Sequence, residues 1–258
     1  MARSMPVGPR RARPDDRLSV VEHLDELRRR AIISVLALIV AFAGMYAMHE
    51  QLIEVLTWPL PDDTQQLITL SPTEPFFTTL KISFWAAVLI ALPVWLYQVY
   101  AFVIPAVANQ SRKVMIAVVT GVAGLFAAGI AFGYGVVLPV ALEFLTGFGG
   151  DTFNTQLRAG EYFAFVTTML LASGLLFEVP AAMTALARMG VASAALYRKQ
   201  WRVALVGIAA IAAILPGGDP MSMLLLMVPQ FALYGLGIAL AARFGQEPLW
   251  RREAVDAP

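Results

Sequence analysis

The 258 residues are 59% hydrophobic and 14% charged, with a formal net charge of +1 and no cysteine; mean hydropathy is +0.69. That composition excludes an ordinary soluble globular domain. The missing cysteines exclude disulfides and thiolate metal sites, and the small net charge averages a basic set of loops with an acidic one.

Residues 1–17 are rich in Arg and Pro and are expected to be disordered. Ser19 opens a predicted helix, with Glu22 and Asp25 three and six residues on, in the manner of a capping box. Leu18, Val21, Leu24 and Leu27 recur at three-residue steps, and His23, Glu26 and Arg30 occupy the other face. This predicts an amphipathic helix at the membrane interface, running into the first apolar run.

A spanning helix needs about 20 apolar residues. Five runs read as spans: 31–48, 78–104, 114–142, 162–189 and 221–242. A sixth, 203–215, has only 13 residues, or about 20 Å of helix, so length alone leaves a re-entrant segment open. Charge argues for six spans. They put the N-terminal arm, the second and fourth loops and the tail on one side, with 17 Lys and Arg, whereas the other side carries Arg158 alone. Lys81 lies beside the second span. The asymmetry predicts six spans with both termini in the cytoplasm. No cleavable signal peptide is seen, so the first span is expected to act as its own insertion signal.

The first outer loop, 50–77, is long and acidic and carries four prolines, so packed structure of its own is expected. The second, 143–161, is also sizeable, and Gly217-Gly218-Asp219 reads as a tight turn. Pro93, Pro105, Pro139, Pro180 and Pro229 predict kinked helices whose freed carbonyls are satisfied by neighbours. Gly129 and Gly133 form a small-xxx-small pair, suited to an internal helix contact.

Catalytic motifs are missing. The sequence holds no P-loop, no H-E-x-x-H and no G-x-S-x-G. His23 and His49 are its two histidines, too few for a zinc site and outside the depth a membrane protease needs. No enzyme, metal or cofactor is expected. Glu178 stands out, because a carboxylate at membrane depth costs roughly 2.5–3.5 kcal/mol by insertion scales. It invites three readings: a proton site, a polar anchor for a partner helix, or a hydrogen-bonded structural group. Gln98, Thr167 and Thr168 are the polar side chains expected beside it, and Lys81 is either a second intramembrane charge or a snorkelling one.

Six segments in order carry a resemblance: His23-Leu24-Asp25-Glu26-Leu27-Arg28-Arg29-Arg30; Ser71-Pro72-Thr73-Glu74-Pro75-Phe76-Phe77 with Lys81; Leu92-Pro93 with Tyr97-Gln98-Val99-Tyr100-Ala101-Phe102; Phe177-Glu178-Val179-Pro180; Tyr197-Arg198-Lys199 with Arg202; and Pro216-Gly217-Gly218-Asp219-Pro220 with Pro229 and Leu233-Tyr234. Together the sequence resembles the TatC family, the membrane receptor of the twin-arginine protein export system. The resemblance implies an all-α polytopic membrane protein in which 18–243 forms a curved, glove-like six-helix bundle and 244–258 a cytoplasmic tail. It implies binding of twin-arginine signal peptides of folded cargo around Glu26, with His23, Leu27 and Arg28 bordering it. It also implies docking of single-span TatA-type and TatB-type partners near Glu178, with Gln98 and Lys81 as further polar intramembrane positions, transport driven by the proton-motive force, and a homo-oligomer within a larger complex in the lipids of a bacterial or archaeal cytoplasmic membrane. No nucleic acid is implied. Phe76, Pro93, Phe102 and Asp219 match structural positions. Two departures matter: Ser111 stands where the family usually has a second arginine-binding acid, and Gly235 follows Leu233-Tyr234 where a Glu is common. The alternative from the residues alone is a small ion-coupled transporter using Glu178 as its proton site; a structural membrane subunit is the third reading.

Overall fold

A computed structural model of the chain describes residues 20–60, 67–103, 112–148, 156–214 and 220–246. Among these the protein is helical apart from one isolated parallel bridge between Ile68 and Arg158. The helices are α1 (Val20–Ala47), α2 (His49–Thr57), α3 (Glu74–Val103), α4 (Arg112–Phe132), α5 (Leu138–Gly147), α6 (Ala159–Phe177), α7 (Val179–Arg188), α8 (Ala194–Lys199), α9 (Trp201–Ile214) and α10 (Pro220–Phe244). A π-helical segment, Gly133–Val137, joins α4 to α5.

Five helical stretches are long and apolar enough to cross a membrane: Leu24–Ala47, Glu74–Val99, Ile116–Gly147, Ala159–Arg188 and Pro220–Phe244. Trp201–Ala213 is the shorter apolar helix. These match the five expected runs and the short sixth. The first outer loop also holds the expected packed structure, as α2 and the bridge at Ile68. The expected disorder of residues 1–17 and the turn at Gly217-Gly218-Asp219 fall outside the described residues.

Two of the intramembrane prolines accompany irregular backbone, as expected of a residue that lacks the N–H that would bond the carbonyl four residues back. Pro139 follows the π-helical segment, which absorbs the misfit at Gly135 within a continuous rod. Pro180 instead accompanies a break: α6 ends at Phe177, Glu178 caps it, and α7 starts at Val179. Glu178 N–H donates back to the Leu175 carbonyl at 3.1 Å, and its own carbonyl accepts from Ala182 N–H at 2.9 Å. Pro93 and Pro229 lie inside α3 and α10.

Packing follows small residues and aromatic fillers, since lipid tails remove the usual hydrophobic drive between helices. The α4–α6 contact is the clearest case. A Cβ on Gly129 would stand 2.6 Å from the Ser173 carbonyl oxygen and 2.8 Å from Gly174 Cα. One on Gly133 would stand 2.7 Å from Ser173 Oγ. The small-xxx-small pair is thus an internal contact, as expected. α1 packs on α3, α7 on α10, and α3 and α4 both on α6. The densest core lies at the α2 end of the bundle, where Leu56, Ile82, Leu138, Tyr162, Val166 and Met169 are buried together.

Candidate functional site

Glu26 lies near the start of α1, a half-buried carboxylate facing Arg30 one turn on. Glutamate preceding arginine by four residues is a favourable helical pairing, and Arg30 Nε donates to Glu26 Oε1 at 3.0 Å, with Nη2 closing on the same oxygen. Arg30 also reaches across to α3, where its Nη1 donates to Gln98 Oε1 at 3.3 Å. A second link lies a turn further in: Trp95 Nε1 donates to the Ser34 carbonyl at 2.9 Å. These two bonds fix the register of α1 on α3 at the Glu26 end. Among the described residues the Arg30 pairing engages one carboxylate oxygen of Glu26, Oε1.

Gln98 therefore sits elsewhere than expected. The sequence placed it beside Glu178; its side chain is engaged with Arg30 instead. Thr167 and Thr168 are not partners of Glu178 either. Their hydroxyls donate to carbonyls of their own helix, Thr167 to Phe163 at 2.6 Å and Thr168 to Ala164. Short hydroxyl side chains inside a helix bond the preceding turn before they can reach a neighbour. Glu178 itself stands at the α6–α7 break, with Oε1 buried and without a hydrogen-bond partner among the described residues.

Leu27 and Arg28 are exposed on α1 beside Glu26, and Asp25, Arg28 and Arg29 line an open depression on that helix. The side chain of His23, and all of Ser111 and Asp219, lie outside the described residues. Phe76 is exposed and meets Phe77 edge-on at 5.5 Å, Pro93 is inside α3, and Phe102 is partly buried near its end. Lys81 is exposed on α3 and faces a small cleft against α6.

At the opposite end from Glu26 lies a second polar centre that the sequence only hinted at. Glu74, largely buried at the head of α3, accepts from Arg158 Nε at 2.8 Å and Nη2 at 3.2 Å. It also takes the backbone N–H groups of Leu70 at 2.9 Å and Gly160 at 3.2 Å. The paired carboxylate holds the Arg158 guanidinium above its ordinary pKa, chiefly through these hydrogen bonds. Around it the Ile68–Arg158 bridge ties the two loops, with Ile68 N–H donating to Leu157 and Ala159 N–H to Ile68, both at 2.9 Å. Two tyrosines complete the cap: Tyr134 OH donates to the Val55 carbonyl at 2.6 Å and Tyr162 OH to the Leu56 carbonyl at 2.7 Å. Those carbonyls belong to the last turn of α2, where intrahelical donors run out. The signal that could have found this centre was the lone basic residue Arg158 opposite an acidic loop.

At the Glu26 end a third set of bonds joins α7, α8 and α10. Tyr234 OH donates to the Tyr197 carbonyl at 2.8 Å, and Tyr197 OH to the Met183 carbonyl at 3.2 Å.

Among the described residues no group of three or more His, Cys, Asp or Glu is placed to hold a metal ion. The arrangement is that of a polytopic helical membrane protein with polar networks at both ends and one carboxylate, partly buried, between them. Residues 22–229 match the family described as Sec-independent protein translocase protein (TatC). The chain is 36% identical over 230 residues to the TatC protein of Deinococcus radiodurans, covering 86% of this chain and 85% of that one. It is 35% identical to the chloroplastic TATC protein of Pisum sativum over 223 residues, 86% of this chain and 63% of that one; it thus spans about three fifths of that plant relative. A crystal structure titled as the twin arginine translocase receptor TatC superposes with a TM-score of 0.73 at 34% identity, over 85% of this chain and 98% of that one. The chain belongs to the TatC family, whose members are translocase components rather than enzymes. Its apolar helices and bacterial relatives make it a multi-pass protein of the cytoplasmic membrane.

Proposed function

We propose that this chain is the receptor subunit of a twin-arginine translocase, with six spans and both termini in the cytoplasm. Signal peptides of folded cargo dock at the head of α1, where Glu26 accepts from one signal arginine. Single-span partners dock along the Glu178 face, and the proton-motive force drives transport. The observation that carries this reading is the Glu26–Arg30–Gln98 network. It orients a half-buried carboxylate at the end of the bundle, flanked by basic residues, and among the described residues engages only its Oε1. Arginine is the cation whose forked donors best match such a group. Ser111 cannot supply the second carboxylate found in relatives of this kind, so recognition rests on Glu26 with Glu22 and Asp25 nearby on the same segment.

Glu178 supports the docking half. Among the described residues it has no ion pair, so a polar group from a partner helix would complete it, whereas a transporter would need further ionisable groups along a path. The decisive experiment is export of a twin-arginine reporter by the Glu26→Ala variant. Export is expected to stop while the protein still inserts at wild-type level. Normal export would remove Glu26 from signal recognition, and substrate or proton flux through liposomes holding this chain alone would favour a transporter.

A further inference from the structure

Lys81 lies seven residues into α3 from Glu74, about 10 Å along the axis. Among the described residues it forms no ion pair, because Glu74 is taken by Arg158 and Glu161 lies 3.6 Å from the same arginine. It lines a cleft of about 60 Å³ between α3 and α6 with Thr78, Trp85, Gly160 and Thr168. That is room for a group several water molecules in size.

The donors in this cleft share one helical face. Thr78, Lys81 and Trp85 are spaced i, i+3 and i+7 on α3, so all three side chains point the same way. Thr78 is nine-tenths buried, with 8% of its surface exposed, and its hydroxyl has no partner among the described residues. The Trp85 indole N–H is likewise unpaired among them, and Trp85 is exposed at the cleft mouth. The hydroxyl of Thr168, opposite, is already committed to a carbonyl. Three donors, one of them charged, thus face a space that, among the described lining residues, contains no carboxylate. Gly160 keeps the floor open, since a Cβ there would stand 3.0 Å from Glu74 Oε1 and 3.7 Å from Thr78 Oγ1.

We propose that the α3–α6 cleft is a headgroup site for a membrane phospholipid, in which Lys81, Thr78 and Trp85 donate to the oxygens of its phosphodiester. Direction and depth fit this ligand. Helical side chains lean toward their helix N-terminus, which for α3 is the Glu74 end, so the Lys81 stem carries its ammonium from the hydrocarbon margin back to headgroup level. Trp85 lies one turn deeper than Lys81 and leans back in the same direction, toward the ammonium. A phosphodiester offers several acceptor oxygens and a negative charge to a lysine acting as a point charge. The occupied leaflet is the one facing α2 and the Glu74–Arg158 pair.

The test is native mass spectrometry of the full-length protein, delipidated in mild detergent and titrated with dioleoylphosphatidylglycerol, dioleoylphosphatidylcholine or inorganic phosphate. Wild type is expected to retain one phospholipid. Lys81→Gln should lower its occupancy about tenfold at equal lipid, Trp85→Phe should lower it less, and Lys81→Arg should restore it. Lys199→Gln, on a separate helix, should match wild type. Each variant is first checked for wild-type elution and melting, and Trp85→Phe serves if Lys81→Gln fails that check. Unchanged lipid occupancy in both Lys81→Gln and Trp85→Phe would overturn the proposal. So would displacement of the lipid by millimolar inorganic phosphate, which would make the cleft a free-phosphate site, or loss of a co-purifying single-span protein in place of lipid. Because the readout is lipid occupancy, its outcome is separate from that of the Glu26 export assay.

Discussion

Gly129→Ala tests the packing logic with one methyl group. The new Cβ would stand 2.6 Å from the Ser173 carbonyl oxygen, 2.8 Å from Gly174 Cα and 2.9 Å from Phe177 Cβ. Two of these three atoms are backbone, so rotamer changes give little relief and α4 must retreat from α6. Restoring an ordinary contact of about 3.4 Å means a shift of roughly 0.8 Å along this interface, which forfeits dispersion contacts on both sides. Overpacking of this kind costs about 1–3 kcal/mol, or a fall in Tm on the order of 5 °C for a chain of this size. At Gly121 and Gly124, on the same helix, an added Cβ would meet nothing within 4 Å, so Gly121→Ala is the matched control and should be neutral. Melting followed by size-exclusion fluorescence in detergent measures both. If Gly129→Ala melts with wild type, or if Gly121→Ala falls as far, close approach of α4 and α6 does not hold the bundle together.

Three further outcomes follow from the polar networks. Tyr162→Phe deprives the Leu56 carbonyl of its donor and should cost about 1 kcal/mol, read as a lower melting midpoint with α2 exchanging its amide hydrogens faster. Glu74→Gln removes the charge that gathers Arg158 and two backbone N–H groups; hydrogen exchange should quicken at Leu70 and Gly160 while α1 is unchanged, and equal protection would show that the loops hold without it. Burial, with a smaller contribution from Tyr234, pushes the Tyr197 phenol above its ordinary pKa of 10.0. A raised folded-state pKa stabilises fully below the unfolded value and loses that stabilisation as pH climbs through the folded one. Stability should therefore decline above about pH 10, and Tyr197→Phe should flatten that part of the profile; an identical slope in both proteins would argue against burial as the cause of the raised pKa.

The spans were legible because hydrocarbon thickness imposes a length that sequence either meets or does not. Gly129 and Gly133 were legible for a similar reason: their spacing puts them on one helix face whatever the partner. The prolines announced irregular backbone, but not its form. Pro139 is absorbed by a wider helical turn, whereas Pro180 comes with a full break, and the difference depends on what each segment packs against. Partners across helices were hidden. Gln98 belongs with Arg30 and not with Glu178, a fact set by α1 lying on α3 and by the level at which they cross. The hydroxyls of Tyr134 and Tyr162 look like aromatic filling in sequence, yet they finish the last turn of a helix far away along the chain. Arg158 was read as an exception to the charge rule; it is the counterion of Glu74.

The break at Glu178 means that the fourth long apolar stretch is not one rod. Its first part, α6, is gripped by α3 and α4, whereas its second part, α7, belongs with α10. The two groups also touch where α10 meets α5 and α6, but along the chain they are joined by a single residue, and that residue carries a carboxylate. Whatever docks against the joint therefore meets the ends of both helices at once, within a few ångströms of the one carboxylate that links them.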